Sequence, residues 1–143
     1  DMLLASKEVF SARDVERYAK LCYGDNATPE MIEAIRRTDG RARVFLSRSM
    51  MRGEGGDQRM IVEQATVPVA LVNGEHDPMI RLSYVANLNC GTLWDGHTIV
   101  LENAGHAAFR DAPNRFNALL LRFAADCETW RGSVEMPAAA RTA

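Results

Sequence analysis

An α/β fold, with helices packed on a short parallel sheet, is what the sequence predicts. Two apolar runs carry the prediction: Val67-Pro-Val-Ala-Leu-Val-Asn-Gly-Glu-His-Asp77 and Thr98-Ile-Val-Leu-Glu-Asn-Ala-Gly-His106. Each is short and rich in β-branched residues, as in strands buried on both faces of a parallel sheet, and each runs into a glycine-containing loop. The third observation is the most periodic helix in the chain. It has Pro113 in its first turn and Phe116, Leu119, Leu120, Phe123 and Cys127 at helical spacing, a stripe suited to packing on that sheet.

The residues before the first strand are helical and rich in methionine. Ser11 supplies the cap for a helix over Ala12 to Tyr23, with Asp14 in its first turn and Gly24 at its end. Thr28 followed by Pro29 opens a second helix to about Arg37, because proline is tolerated at the first helical position and threonine offers a cap oxygen. A third helix covers roughly Ala42 to Arg52 and places Phe45, Met50 and Met51 on a partly apolar face. The run Gly53-Glu-Gly-Gly-Asp57 breaks the chain, and a short helix from Asp57 to Gln64 leads into the first strand. Pro68 holds the entry at Val67 extended.

Ile80 to Leu88 reads as the crossover helix, and Thr98 to Leu101 as the second strand. A parallel connection needs such a crossover. Residues after Arg131 lack periodicity and read as a frayed tail. The chain therefore divides into a helical segment (1–64), a strand-bearing core segment (65–130) and a tail (131–143).

Ligands bind sheets of this kind just beyond the carboxyl ends of the strands. Asp77 and His106 fall there, one after each strand. Alone, Asp77 could cap the crossover helix and His106 could be an ordinary loop histidine. Their joint placement favours an acid and base pair. The endings Gly74-Glu-x-Asp77 and Ala104-Gly-His106, with Pro113, Phe116 and Phe123 in the helix that follows, resemble the C-terminal half of the α/β-hydrolase fold superfamily. The resemblance runs from about Val67 to Phe123. It implies a partial α/β-hydrolase fold, with a cap or lid of helices followed by two parallel strands, a crossover helix and a C-terminal helix. It further implies that Asp77 is the triad acid and His106 the triad base, while substrate-binding residues remain unassigned. Gly105, before the base, suits a sharp turn and close backbone approach.

The nucleophile motif of that superfamily, Gly-x-Ser-x-Gly, occurs nowhere in the 143 residues, and neither does a glycine-rich oxyanion loop. Ser47 and Ser49 lie in a helical stretch with no preceding strand. The expectation is a C-terminal fragment, inactive in isolation, whose nucleophile lies upstream of Asp1. A chain of this length cannot supply the eight or so strands of the full domain, and a start at Asp rather than Met suits a truncated or processed chain. The majority behaviour of the superfamily implies hydrolysis of a small carboxylic ester or related acyl substrate. Relatives with an aspartate nucleophile open epoxides or remove halide, and a non-catalytic binding module is the alternative of another class.

With 47% hydrophobic and 25% charged residues and a net charge of −2, the composition is that of a globular protein. It does not point to nucleic acid or a membrane as partner. No apolar stretch approaches the length of a membrane span and no signal peptide is evident. Cys22, Cys90 and Cys127 have neither CxxC spacing nor an even count, so they read as thiols in a reducing cytoplasm. His76, His97 and His106 lack the spacing of a metal site, and no cofactor is expected. Glu75 is expected in loop hydrogen bonds. Cys90 and Cys127 have no base placed beside them. Trp94, Tyr18, Tyr23 and the methionines could line an acyl pocket or simply pack a core. Two strands expose unpaired edges, so the expected partner is the missing N-terminal half or a second copy paired through the strand edge.

Overall fold

The structure is a computed structural model, and it describes residues 2–133. After a 3-10 turn at Met2–Ser6, the helical segment comprises α1 (Ala12–Tyr23), a 3-10 turn at Gly24–Asn26, α2 (Pro29–Arg37), α3 (Gly40–Met51) and α4 (Gln58–Glu63). The core segment follows as β1 (Val72–Gly74), α5 (Leu82–Ala86), β2 (Ile99–Leu101), α6 (Ala108–Asp111) and α7 (Pro113–Ser133).

The caps of α1 and α2 lie where the sequence places them. Ser11 accepts the Asp14 amide, and Asp14 Oδ2 accepts the Ser11 amide at 2.8 Å, the reciprocal pairing of a capping box. Lys7 adds an ion pair 2.5 Å from the same carboxylate oxygen. These contacts hold the Asp14 carboxyl well below its ordinary range, the Lys7 bond contributing most. Thr28 caps α2 by accepting the Met31 amide. Val15, Ala19 and Ile35 are buried between α1 and α2, with Phe10, Tyr18, Tyr23 and Ile32 packed around them.

α3 starts at Gly40, two residues before the expected Ala42, with Asp39 as its cap. Arg41 pulls the Asp39 carboxyl down to about 2 through a side-chain hydrogen bond. Glycine is a poor helix former, but here its lack of a side chain is required. A Cβ at Gly40 would overlap the Glu8 carbonyl. Phe45, Met50 and Met51 are all exposed, so the apolar face expected on this helix is uncovered among the described residues.

The sheet has two parallel strands, with Val72 opposite Ile99, Asn73 opposite Val100 and Gly74 opposite Leu101. The first strand is shorter than the apolar run suggests. Upstream of Val72 the described residues show one isolated parallel bridge, Val69 with Leu93, and strand Ile99–Leu101 is itself short. The strands are not buried on both faces as expected: Leu101 is 1% exposed, whereas Val100 on the opposite face is 40% exposed. Leu101, Ala104 and Ala108 form the core here, with Val72, Ala112, Phe116 and Leu119 packed against them.

The crossover helix is also shorter than Ile80 to Leu88, covering Leu82–Ala86. The amides of Met79 and Ile80 are taken by Asp77 Oδ1, which makes a turn of the residues that the periodicity assigned to the helix. α6 was not expected. α7 begins at Pro113 as expected and continues through Ser133, past the expected boundary at Arg131. The rest of the expected tail, 134–143, lies outside the described residues. Of the predicted stripe, Phe116 and Leu119 reach the core and Phe123 meets Trp94, with ring centroids 5.3 Å apart, but Leu120 is half exposed. Arg122 over the Trp94 ring and a bond from the indole N–H to Asp126 fix this loop on α7.

Candidate acid and base site

The ends of β1 and β2 lie side by side, so the loops that follow them are held together by backbone contacts. The Glu75 amide donates to the Leu101 carbonyl at 3.0 Å and the His76 amide to the Ala104 carbonyl at 2.8 Å. Gly74, at the end of β1, makes this approach possible: a Cβ there would overlap the carbonyl oxygens of Ala104 and Gly105. The close backbone approach expected at Gly105 is thus met at Gly74. A Cβ at Gly105 would meet only the Asp111 carboxylate, at 3.3 Å. Asn103 takes a positive φ of 58° at the turn out of β2, a conformation asparagine tolerates. Its amide donates to Glu75 Oε2 at 3.0 Å, which gives Glu75 the loop hydrogen bond expected of it.

On this frame Asp77 and His106, 29 residues apart in sequence, meet. His106 Nδ1 lies 2.9 Å from Asp77 Oδ2. The Asp77 side chain is 3% exposed and that of His106 is 36% exposed. The other carboxylate oxygen of Asp77 accepts the Met79 and Ile80 amides at 2.8 and 3.1 Å. One oxygen of the carboxylate faces the histidine and the other fixes the Met79–Ile80 turn. The crossover helix itself has Arg81 at its N-cap, so the helix-capping role set against the triad role on sequence grounds is not what Asp77 does. Three donors thus converge on one buried carboxylate and fix its orientation. With Nδ1–H given to Asp77, the lone pair of the imidazole sits on Nε2, free to take a proton from a group arriving from the solvent side.

A cleft of about 370 Å³ opens beside this pair, lined by Tyr23, Asn26, His76, Asn103 and His106 among others. Of the aromatic residues considered for a pocket, Tyr23 borders this cleft. Tyr18 instead packs against Phe10 with ring centroids 5.3 Å apart, and Trp94, in the 3-10 turn Trp94–Gly96, packs against Phe123 of α7. One neighbour of the pair escaped sequence reasoning. Asp111, at the end of α6, accepts the Gly105 amide on Oδ2 at 2.8 Å and the Asn26 side-chain amide on Oδ1 at 2.7 Å. Its spacing of five residues from His106 was the available signal, but no motif draws attention to it.

The remaining candidates are dispersed. His76 stands 3.6 Å from Glu75, and His97 Nδ1 lies 2.9 Å from the Asp95 carbonyl. Among the described residues no three His, Cys, Asp or Glu side chains converge to hold a metal ion. Ser47 and Ser49 lie on α3, where Ser49 Oγ donates to the Glu54 carbonyl. Cys90 stands 3.6 Å from the Thr92 hydroxyl, and burial raises the Cys22 thiol above its ordinary range. No helix of the described residues is long and apolar enough to cross a membrane.

No family model and no curated protein matches the sequence. Solved structures do match. A serine-to-glycine variant of the N-acyl homoserine lactonase AidH, complexed with N-hexanoyl homoserine lactone, is 46% identical with a TM-score of 0.85, over 88% of this chain and 46% of that one. A glutamate-to-glycine variant complexed with N-hexanoyl homoserine is 43% identical with a TM-score of 0.85, covering 95% of this chain and 48% of that one. AidH complexed with N-butanoyl homoserine matches with the same values. The chain spans about half the length of these lactonase chains. Its helices and two parallel strands make up part of the α/β-hydrolase fold, as the sequence resemblance implied.

Proposed function

We propose that this chain provides the acid and base half of a hydrolytic triad, with His106 as general base, Asp77 as its orienting carboxylate and the nucleophile contributed by residues outside 1–143. The observation that carries this reading is the 2.9 Å contact between His106 Nδ1 and a carboxylate that is itself buried and fixed by two backbone amides. In that arrangement His106 Nε2 removes the proton from the attacking hydroxyl and returns it to the leaving group, while Asp77 holds the tautomer and stabilises the imidazolium. The substrate class is an ester of small acyl type, and the likeness to AidH narrows it to the lactone ring of an N-acyl homoserine lactone. The lactonase reading carries a nucleophilic serine with it. The serine-to-glycine variant of AidH holds an unopened lactone, whereas AidH itself holds the opened N-butanoyl homoserine, the difference expected when a serine nucleophile is removed. This support favours acyl transfer over the aspartate-nucleophile chemistries.

The partner is a nucleophile-bearing half that adds strands to the outer edge of β1. Two strands alone are marginal in water, and β1 pairs only with β2 among the described residues. The test is to combine this chain with a nucleophile-bearing half and to follow hydrolysis of N-hexanoyl homoserine lactone by proton release. Hydrolysis by the pair and none by the chain alone is the expected result, with a loss of about 10³-fold or more in His106→Ala. Activity indifferent to His106, or a stable inactive assembly under every condition, overturns the reading. The second of these outcomes favours a binding module.

A further inference from the structure

We infer that Asp111 is a positioning residue that couples the helical segment to the loop bearing His106, an inference that rests on the reading of His106 as the base. One carboxylate spans the two walls of the cleft. Its Oδ1 accepts the side-chain amide of Asn26, in the turn after α1, and its Oδ2 accepts the backbone amide of Gly105, the residue just before His106. The two donors are 79 positions apart in sequence, and Asn26, Gly105, His106 and Asp111 all border the same cleft. Hydrogen bonds to an ionised acceptor are the stronger kind, so Gly105 is fixed from below by Gly74 packing and from the side by Asp111. Movement of the Gly24–Asn26 turn, such as a ligand entering the cleft would cause, pulls on Oδ1. Because the carboxylate is rigid, the pull passes through Oδ2 to Gly105 and changes the aim of the imidazole. Small misplacements of a catalytic group are costly, so this contact tunes the base without touching substrate.

The test uses the complete 143-residue chain, isotopically labelled, with two readouts: hydrogen exchange at the Gly105 amide and the downfield Nδ1–H proton resonance of His106. Asp111→Ala is expected to speed Gly105 exchange about tenfold or more and to shift or broaden the His106 resonance. Asn26→Ala, an exposed change, is expected to speed Gly105 exchange in the same direction by a smaller factor and to add nothing in the Asp111→Ala background. Asp111→Asn keeps one acceptor oxygen and is expected to fall between. Gly105 exchange unaffected by Asn26→Ala, or a His106 resonance unmoved in a folded Asp111→Ala, overturns the coupling. Should Asp111→Ala fail to fold by circular dichroism, Asn26→Ala and Asp111→Asn decide the matter on the same two readouts. Asp77→Asn, measured alongside, separates the two claims. A His106 resonance that survives it contradicts the triad reading, whatever Gly105 does.

Discussion

Gly74→Ala is a small change with a large expected effect at the site. An ideal Cβ at this position would stand 2.7 Å from the Ala104 carbonyl carbon and nearer still to the carbonyl oxygens of Ala104 and Gly105. Ordinary contact begins near 3.4 Å, so the end of β1 and the histidine loop must part by about 1 Å or more to free the carbonyl oxygens. Both sides of the contact are backbone, and no flexible side chain can yield. Overpacking of this sort costs about 1–3 kcal/mol. The separation also stretches the 2.8 Å bond from the His76 amide to the Ala104 carbonyl and carries His106 away from Asp77, whose 2.9 Å contact has little slack. Urea denaturation followed by tryptophan fluorescence gives the stability change, and the His106 Nδ1–H resonance gives the local one. A midpoint lowered by the equivalent of 1–3 kcal/mol, with that resonance lost or shifted, is predicted. A variant within 0.5 kcal/mol of the parent that retains the resonance would show the approach at Gly74 to be unimportant, and the reasoning would fail.

Further outcomes follow from other parts of the molecule. Leu101→Ala empties the best-buried large side chain of the core segment and is expected to cost about 2–5 kcal/mol by denaturant titration. Asp14 has a folded pKa held below its ordinary value near 3.8, so its contribution to stability is complete above that value and is lost as the pH falls below it. Melting temperatures measured from pH 6 to pH 2.5 are therefore expected to fall less steeply in Asp14→Asn, which is less stable at neutral pH because Lys7 and the Ser11 amide lose an ionised partner. In protein that hydrolyses the lactone, Asp77→Asn is expected to lower kcat by about 10⁴-fold while leaving KM nearly unchanged, since it acts on the base and not on binding.

The features legible in the sequence are those whose determinants are local. Ser11 and Thr28 each satisfy an amide three residues away, so their helices begin where a reader of the sequence places them. Asp77 and His106 could be paired from the sequence because each follows the end of one of two strands that lie side by side. What escaped depends on distant residues. Gly40 begins α3 because of the Glu8 carbonyl, 32 positions earlier. The run 67–71 has strand composition, but a strand is defined by its partner, and β2 reaches only as far as Val72. The start of α5 was misjudged because Asp77 takes the Met79 and Ile80 amides, a choice invisible to periodicity. Asp111 was missed for the same kind of reason: its two partners lie six residues upstream and 85 residues upstream.

Covalent labelling tests the central claim most directly. Protein assembled from this chain and its nucleophile-bearing half is treated with diethyl p-nitrophenyl phosphate, and the phosphorylated residue is located by peptide mass spectrometry. The account predicts stoichiometric labelling of a residue outside 1–143, abolished by His106→Ala. A label on any serine or cysteine within these residues, or labelling that proceeds equally without His106, would contradict it.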